Sequence, residues 1–166
     1  MPARILVAYA TRKGSTAEIA QAIGKELQSA GHSVDVAEMK MVTSLEGYDA
    51  IVIGAPFYMG KIIDVKKFVS QHQEKLTTLP IAAFTVGVAP AADNPKMVED
   101  SMKALHTSLD PLQPVASTMF GGKLDPDKLS FIQRKMIDIM KVPKGDFRDW
   151  DAISEWTRDV AGKLGV

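Results

Sequence analysis

Six residues, Thr11-Arg12-Lys13-Gly14-Ser15-Thr16, have the makings of an anion site. They lie between an unbroken apolar run, Ile5-Leu6-Val7-Ala8, and a segment whose apolar residues recur at helical spacing. A chain that leaves a strand and enters a helix there presents the first backbone N–H groups of the helix outward and unpaired, and the hydroxyls of Thr11, Ser15 and Thr16 add further donors. Such a set suits a phosphate. Arg12 and Lys13 either add charge to it or face solvent. Two familiar phosphate motifs are excluded: there is no Gly-Lys-Ser/Thr ending, and a single glycine cannot build the three-glycine dinucleotide fingerprint. Ser15 and Glu18 stand at capping-box spacing, so a capped turn with nothing bound is the competing explanation. Hydroxyls at 11, 15 and 16 exceed what one cap requires.

Two later loops are also chemically distinctive. Gly54-Ala55-Pro56-Phe57-Tyr58-Met59-Gly60-Lys61 follows another continuous apolar run and sets two aromatic rings side by side in a turn, where a ring loses its burial unless something flat covers it or it folds back under the next helix. Gly60 permits a positive φ or a peptide flip. Gly87-Val88-Ala89-Pro90-Ala91-Ala92-Asp93-Asn94 is small and apolar, so its backbone N–H and C=O groups can approach the edge of a heteroaromatic ring. The histidines, His32, His72 and His106, have no metal-ligand spacing and are read as structural or solvated. No side-chain acid or base is singled out for catalysis, and no metal is expected.

The elements that must position these loops alternate in strict order. Ser33 to Met39 alternates polar and apolar, as an edge strand does; Ala50-Ile51-Val52-Ile53 and Ile81 to Val86 read as buried strands, and Val115 to Phe120 as a fifth. Helical spacing marks Ala20 to Ala30, Val65 to Leu76, Val98 to Leu109 and Ile153 to Leu164, with Asn94-Pro95 as a cap followed by proline at the first helical position. Strands joined by helical crossovers predict a single α/β domain over residues 1–166, a doubly wound five-stranded parallel sheet of order 2-1-3-4-5. In that order the sheet reverses direction between its first and third strands. Ligands of such sheets bind beyond the carboxyl ends of the strands at the switch point, where the loops after strands one, three and four converge.

Bulk properties narrow the function. The 166 residues carry 20 basic and 20 acidic side chains, and a net charge of zero gives no global field for nucleic acid. The absence of cysteine excludes disulfides, thiolate metal sites and thiol catalysis. With no leader pattern and no run of about 20 apolar residues, a cytoplasmic protein is expected. A phospho-receiver of the same strand order needs acidic residues after strands one and three, and Tyr9-Ala10-Thr11 and Gly54-Ala55-Pro56 offer none.

Thr11-x-x-Gly14-x-Thr16 after the first strand, together with an aromatic loop after the third, resembles the flavodoxins over essentially the whole chain. Ile53 to Lys61 and the closing Gly145-Asp146-Phe147-Arg148-Asp149-Trp150 are similar, more narrowly, to the flavodoxin-domain branch that includes menaquinone-dependent protoporphyrinogen IX dehydrogenases. The resemblance implies FMN-dependent electron transfer. It places the phosphate on Thr11, Arg12, Lys13, Gly14, Ser15 and Thr16. The isoalloxazine falls between Pro56, Phe57, Tyr58, Met59 and Gly60 on one side and Gly87, Val88 and Ala89 on the other, with Tyr58 against the ring and Gly60 toward its reactive nitrogen edge. Lys13 departs from the pattern, since many flavodoxins have threonine there. The implied partners are a redox protein or a small acceptor such as a quinone or porphyrinogen. The alternative is an interaction module that has lost its cofactor.

One segment exceeds an ordinary connection. Gly121 to Arg148, between the fifth strand and the last helix, has its own helical pattern in Phe131, Ile132, Met136, Ile139, Met140 and Val142. From Lys123 to Arg148 seven basic residues face four aspartates. Three roles fit this insert: a helix packed on the domain to cover an edge, a lid or dimer contact, and a peripheral membrane contact.

Overall fold

The computed structural model describes residues 2–12, 14–88, 94–124, 127, 130–140 and 145–166, with the backbone alone at Leu124, Ile137 and Met140. Lys13, Ala89 to Asp93, Lys141 and Val142, which entered the expectations above, lie outside these residues.

Five parallel strands form the sheet: β1 (Arg4–Tyr9), β2 (Ser33–Glu38), β3 (Ala50–Tyr58), β5 (Ile81–Gly87) and β6 (Ala116–Gly121). Their spatial order is β2-β1-β3-β5-β6, which is 2-1-3-4-5 once the short antiparallel β4 (Lys61–Ile62), hydrogen-bonded to the end of β3, is set aside. β7 (Lys123–Leu124) and β8 (Gly145–Asp146) make a separate two-stranded ladder at the base of the insert. The helices are α1 (Ser15–Ser29), α2 (Val65–Leu76), α3 (Pro95–Leu109), α4 (Phe131–Met140) and α5 (Trp150–Lys163).

Side-chain alternation along the strands builds two apolar layers. Ile5, Val7, Ala50, Val52, Ala82 and Phe84 face one way and pack with Ile19, Ile23, Ile153 and Val160 of α1 and α5. Leu6, Ile51, Ile53, Ile81 and Ala83 face the other and meet Val65, Phe68, Leu105 and Leu109 of α2 and α3. Burial on both faces explains why β1, β3 and β5 read as near-continuous apolar runs, whereas the edge strands β2 and β6 are mostly half-buried or exposed. Phe84, Phe120 and Trp156 form an edge-on aromatic cluster, with centroids 5.8, 6.1 and 5.5 Å apart. Each such pair adds roughly 0.5–1.5 kcal/mol beyond its buried area.

Capping sets where the helices begin. Asn94 Oδ1 accepts from Met97 N–H at 3.1 Å ahead of Pro95, as the sequence suggested. Asp149 Oδ1 accepts from Ala152 N–H at 3.0 Å and starts α5. Among the described residues no helix is long and apolar enough to cross a membrane.

Candidate functional site

At the carboxyl end of β1 the chain turns into α1 through Gly14, whose φ of 91° is one that side-chain-bearing residues rarely adopt. Gly14 is the N-cap, and having no side chain it supplies no side-chain cap to the first turn. The capping box that Ser15 and Glu18 would make in the competing explanation therefore does not form. Ser15 is already the first helical residue, and Glu18 pairs instead with Arg148. The loop is held another way: Thr11 Oγ1 accepts from Gly14 N–H at 2.9 Å, which leaves the Thr11 hydroxyl proton to donate elsewhere. Thr16 is buried, Thr11 and Ser15 are half-buried, and Arg12 is exposed.

The three loops converge as the strand order requires. Tight contacts around bare backbone show this directly. A Cβ on Gly122 would stand 2.9 Å from Val86 Cγ1, 3.5 Å from Ser15 Oγ and 3.9 Å from Gly87 N. A Cβ on Gly87 would stand 3.8 Å from both Cβ and O of Phe57. The phosphate-type loop, the aromatic loop and the start of the third loop thus lie side by side, with half-buried Gly87 and buried Gly122 between them. Gly122 N–H donates to Gly87 O at 3.0 Å and Phe147 N–H to Gly122 O at 3.0 Å, so both glycines are fixed. Gly122 escaped the sequence reading because it looks like the first residues of a connection.

In the aromatic loop the two rings part company. Phe57 packs on the α2/α3 core layer, as a ring folded back under the helix would. Tyr58 is half-buried. Met59 (φ 52°) and Gly60 (φ 79°) both have positive φ and close a two-residue hairpin in which Tyr58 pairs with Lys61, the geometry of a type I′ turn. Met59 is 66% exposed at its tip, beside Gly60, and Pro56 is half-buried at its base. Gly87 and Val88 are half-buried at the end of β5.

Arg148 ties the insert to this region. Its side chain is only 7% exposed; Nε and Nη2 reach Asp146 Oδ1 and Oδ2 at 2.9 and 2.7 Å, Nη1 reaches Glu18 in the first turn of α1, and the guanidinium lies 4.7 Å over Trp150. The arginine beside Asp146 holds that carboxyl down at about 2, from an ordinary value of 3.8, and the guanidinium itself is pushed above its usual value by the hydrogen bonds to Asp146 and Glu18. A carboxyl whose folded value lies below its unfolded one contributes stability above the unfolded value and loses it as pH falls toward the folded one. The contribution of this pair should therefore fade between about pH 4 and pH 2. Asp146→Asn should flatten the acid limb of stability in that window by at most about 1 kcal/mol, since the carboxylate is 43% exposed. Urea midpoints of both proteins from pH 5 to about pH 2 measure this; parallel curves would show that the pair contributes nothing.

The insert helix is not a simple cover. Phe131, Ile132 and Ile139 are 68%, 71% and 79% exposed, so these apolar side chains do not pack on the domain as the first of the three roles requires. One link to the domain is polar, through Gln133 and Tyr58. Elsewhere, His32 Nδ1 accepts from Ala3 N–H, His106 Nε2 meets Ser117 Oγ at 3.0 Å and the His72 ring lies tilted against Phe68 with centroids 4.9 Å apart. No cluster of three or more His, Asp or Glu able to hold a metal occurs among the described residues.

A doubly wound parallel sheet of this strand order is the flavodoxin-like fold. The chain belongs to the flavodoxin-domain family, which matches residues 6–151, and membership implies a flavin, generally FMN. It is 28% identical to protoporphyrinogen IX dehydrogenase [quinone] of Escherichia coli strain K12, over 95% of this chain and 94% of that one. Among solved structures it is similar to oxidised flavodoxin 2 from Bacillus cereus, with TM-score 0.61 and 20% identity over 97% of this chain and 99% of that one. An archaeal flavodoxin gives TM-score 0.57 and 19% identity over 98% and 99%. These structures bear on the fold.

Proposed function

We propose that this chain binds FMN in the crevice at its switch point and works as an electron-transferring flavoprotein. The glycine-started first turn of α1 carries the reading: a helix start leaves its first N–H groups without partners inside the helix, and Ser15 there lies beside Gly122 and Gly87. A Cβ on Gly14 would meet nothing within 4 Å, so the turn is open on that side.

Thr11, Arg12, Gly14, Ser15 and Thr16 would hold the phosphate through backbone and hydroxyl donors, with Lys13 completing the loop. Pro56, Tyr58, Met59 and Gly60 would flank the ring on one side, and Gly87, Val88 and Ala89 on the other. Phe57 supports this wall from the core. Bound FMN supplies one- and two-electron transfer. The chain contributes orientation, hydrogen bonds from fixed backbone, and exclusion of water.

The finer reading concerns the acceptor. We favour a quinone, with protoporphyrinogen as the donor, on two grounds: similarity over nearly the full length to the E. coli dehydrogenase, and exposed apolar residues at Met59, Phe131 and Ile132. The near-neutral net charge argues against docking through a strongly acidic surface.

Titration of the purified protein with FMN and with riboflavin, followed by absorbance and fluorescence, tests the cofactor. FMN should bind at least about 100-fold more tightly than riboflavin, because two or more charge-assisted hydrogen bonds are lost with the phosphate. No spectral change with either would overturn the reading. Mixing the anaerobically reduced protein with a menaquinone analogue and with one-electron acceptors then tests the finer part, which a null rate with the quinone removes.

A further inference from the structure

The insert helix starts with the sequence Ser130-Phe131-Ile132-Gln133, whose apolar periodicity hides a polar pair. Ser130 Oγ accepts from Gln133 N–H at 3.2 Å, and Gln133 Oε1 accepts from Ser130 N–H at 3.0 Å. This reciprocal pair is a capping box. It also decides which way the Gln133 amide points: the oxygen is committed to Ser130, so the NH2 end faces outward from the helix start. There Nε2 donates to the phenol oxygen of Tyr58, 75 residues away in the chain. One side chain thus nucleates the insert helix and delivers a donor to the half-buried tyrosine of the aromatic loop. The remainder of α4 offers a contrast, with Phe131, Ile132, Arg134, Lys135, Asp138 and Ile139 all exposed and Gln133 half-buried.

We propose that Gln133 is a positioning residue for Tyr58: the insert helix reaches over to the aromatic loop and fixes the phenol at the mouth of the flavin crevice. The inference rests on the FMN reading for its consequence, while the contact itself does not. Tyr58 directly precedes the Met59-Gly60 turn, at the end of the β3–β4 ladder, and the Gln133 bond adds a hold on its phenol oxygen. As acceptor of the Gln133 bond, the phenol keeps its own proton to donate. Coupling between sites is reciprocal, so a flavin that orders Tyr58 also orders α4, and a secured α4 raises the affinity for the flavin by the same factor. The insert then bears on the cofactor through a defined hydrogen bond, independently of what its apolar face meets.

Three variants separate this from a helix-stability effect. Tyr58→Phe removes the acceptor and leaves both the ring and the capping box. Gln133→Leu removes the donor and the box. Ser130→Ala weakens the box alone. With FMN-loaded protein, Y58F and Q133L should each weaken FMN binding by about three- to tenfold, the worth of one hydrogen bond. The double variant should be no weaker than the weaker single, because the two residues act as one unit. The long-wavelength flavin absorption band should shift alike in both singles, while S130A stays within about twofold of wild type in affinity and keeps the wild-type band. In the FMN-free protein, amide hydrogen exchange over residues 131–140 should quicken in Y58F as it does in Q133L.

Additive effects of Y58F and Q133L on affinity, or an S130A variant as impaired as Q133L, would overturn the proposal. So would unchanged exchange over 131–140 in Y58F. Wild-type protein that ignores FMN altogether would instead refute the cofactor reading, and the exchange measurement would still decide whether Gln133 holds Tyr58.

Discussion

Gly54→Ala should destabilise the protein by about 3 kcal/mol, the upper part of the usual range for overpacking a core. Gly54 lies in the middle of β3, fully buried and in register with Phe84 of β5. A Cβ there would fall 2.0, 2.3 and 2.6 Å from Cζ, Cε1 and Cε2 of the Phe84 ring, well inside van der Waals contact. The ring has no easy retreat, because it is 0% exposed and Phe120 and Trp156 close around it at 5.8 and 6.1 Å. Either β3 separates from β5, with loss of parallel ladder bonds, or the aromatic cluster rearranges. Equilibrium urea unfolding gives the number. Adding Phe84→Leu should recover part of the loss, since a smaller residue makes room, and the pair should be more stable than the sum of the single effects. A Gly54→Ala protein within about 0.5 kcal/mol of wild type would mean that the sheet yields where its packing says it cannot.

That position shows where reading from sequence alone stops. Continuous runs at Ile5-Leu6-Val7-Ala8, Ala50-Ile51-Val52-Ile53 and Ile81 to Val86 announced strands buried on both faces, because a two-sided environment removes polar alternation. Alternation from Ser33 marked the edge. The strand order followed from those two signals and the crossover rule, and with it the place where loops must meet. Nothing local distinguishes Gly54 from a glycine that merely begins a turn; its role depends on a ring 30 residues away. The two-residue ladders β4, β7 and β8 were equally silent, since neither periodicity nor propensity has meaning over two residues.

The two capping-box patterns make the point within one motif. Ser15-x-x-Glu18 and Ser130-x-x-Gln133 fit the same template. At the first, Gly14 takes the N-cap with φ 91°, so Ser15 has entered the helix, its side chain caps nothing, and Glu18 is drawn to Arg148. At the second, Ser130 is the cap and both reciprocal bonds form. What differs is a glycine free to adopt the left-handed conformation and a buried arginine arriving from residue 148, and the arginine's arrival is settled by tertiary structure. The candidate site is read from sequence as a set of loops, whereas the contacts that Gly122, Gln133 and Arg148 make around those loops depend on tertiary structure.

Ser15→Asp should change stability and cofactor binding in opposite directions. Ser15 is the first residue of α1, where the N-cap glycine supplies no side-chain cap and the helix dipole is positive. A carboxylate added there in the FMN-free protein should raise stability by about 0.3–1 kcal/mol, the ordinary value for an acid in a first turn. The same carboxylate would take the donors that a phosphate needs and set a negative charge against a dianion. Two negative charges facing one at about 5 Å, with an effective dielectric near 20, repel by several kcal/mol. Allowing for relaxation and salt, FMN affinity should fall at least about 100-fold. Riboflavin, which has no phosphate, should lose far less, and Ser15→Ala should cost FMN no more than about tenfold, one hydrogen bond. Thermal unfolding without ligand, paired with fluorescence titration of both flavins, reads all three quantities in a single preparation. A turn that only starts a helix would show the stabilisation with no accompanying loss, so a Ser15→Asp protein that binds FMN as wild type does would mean the phosphate sits elsewhere, and the glycine-started turn of α1 would need another explanation.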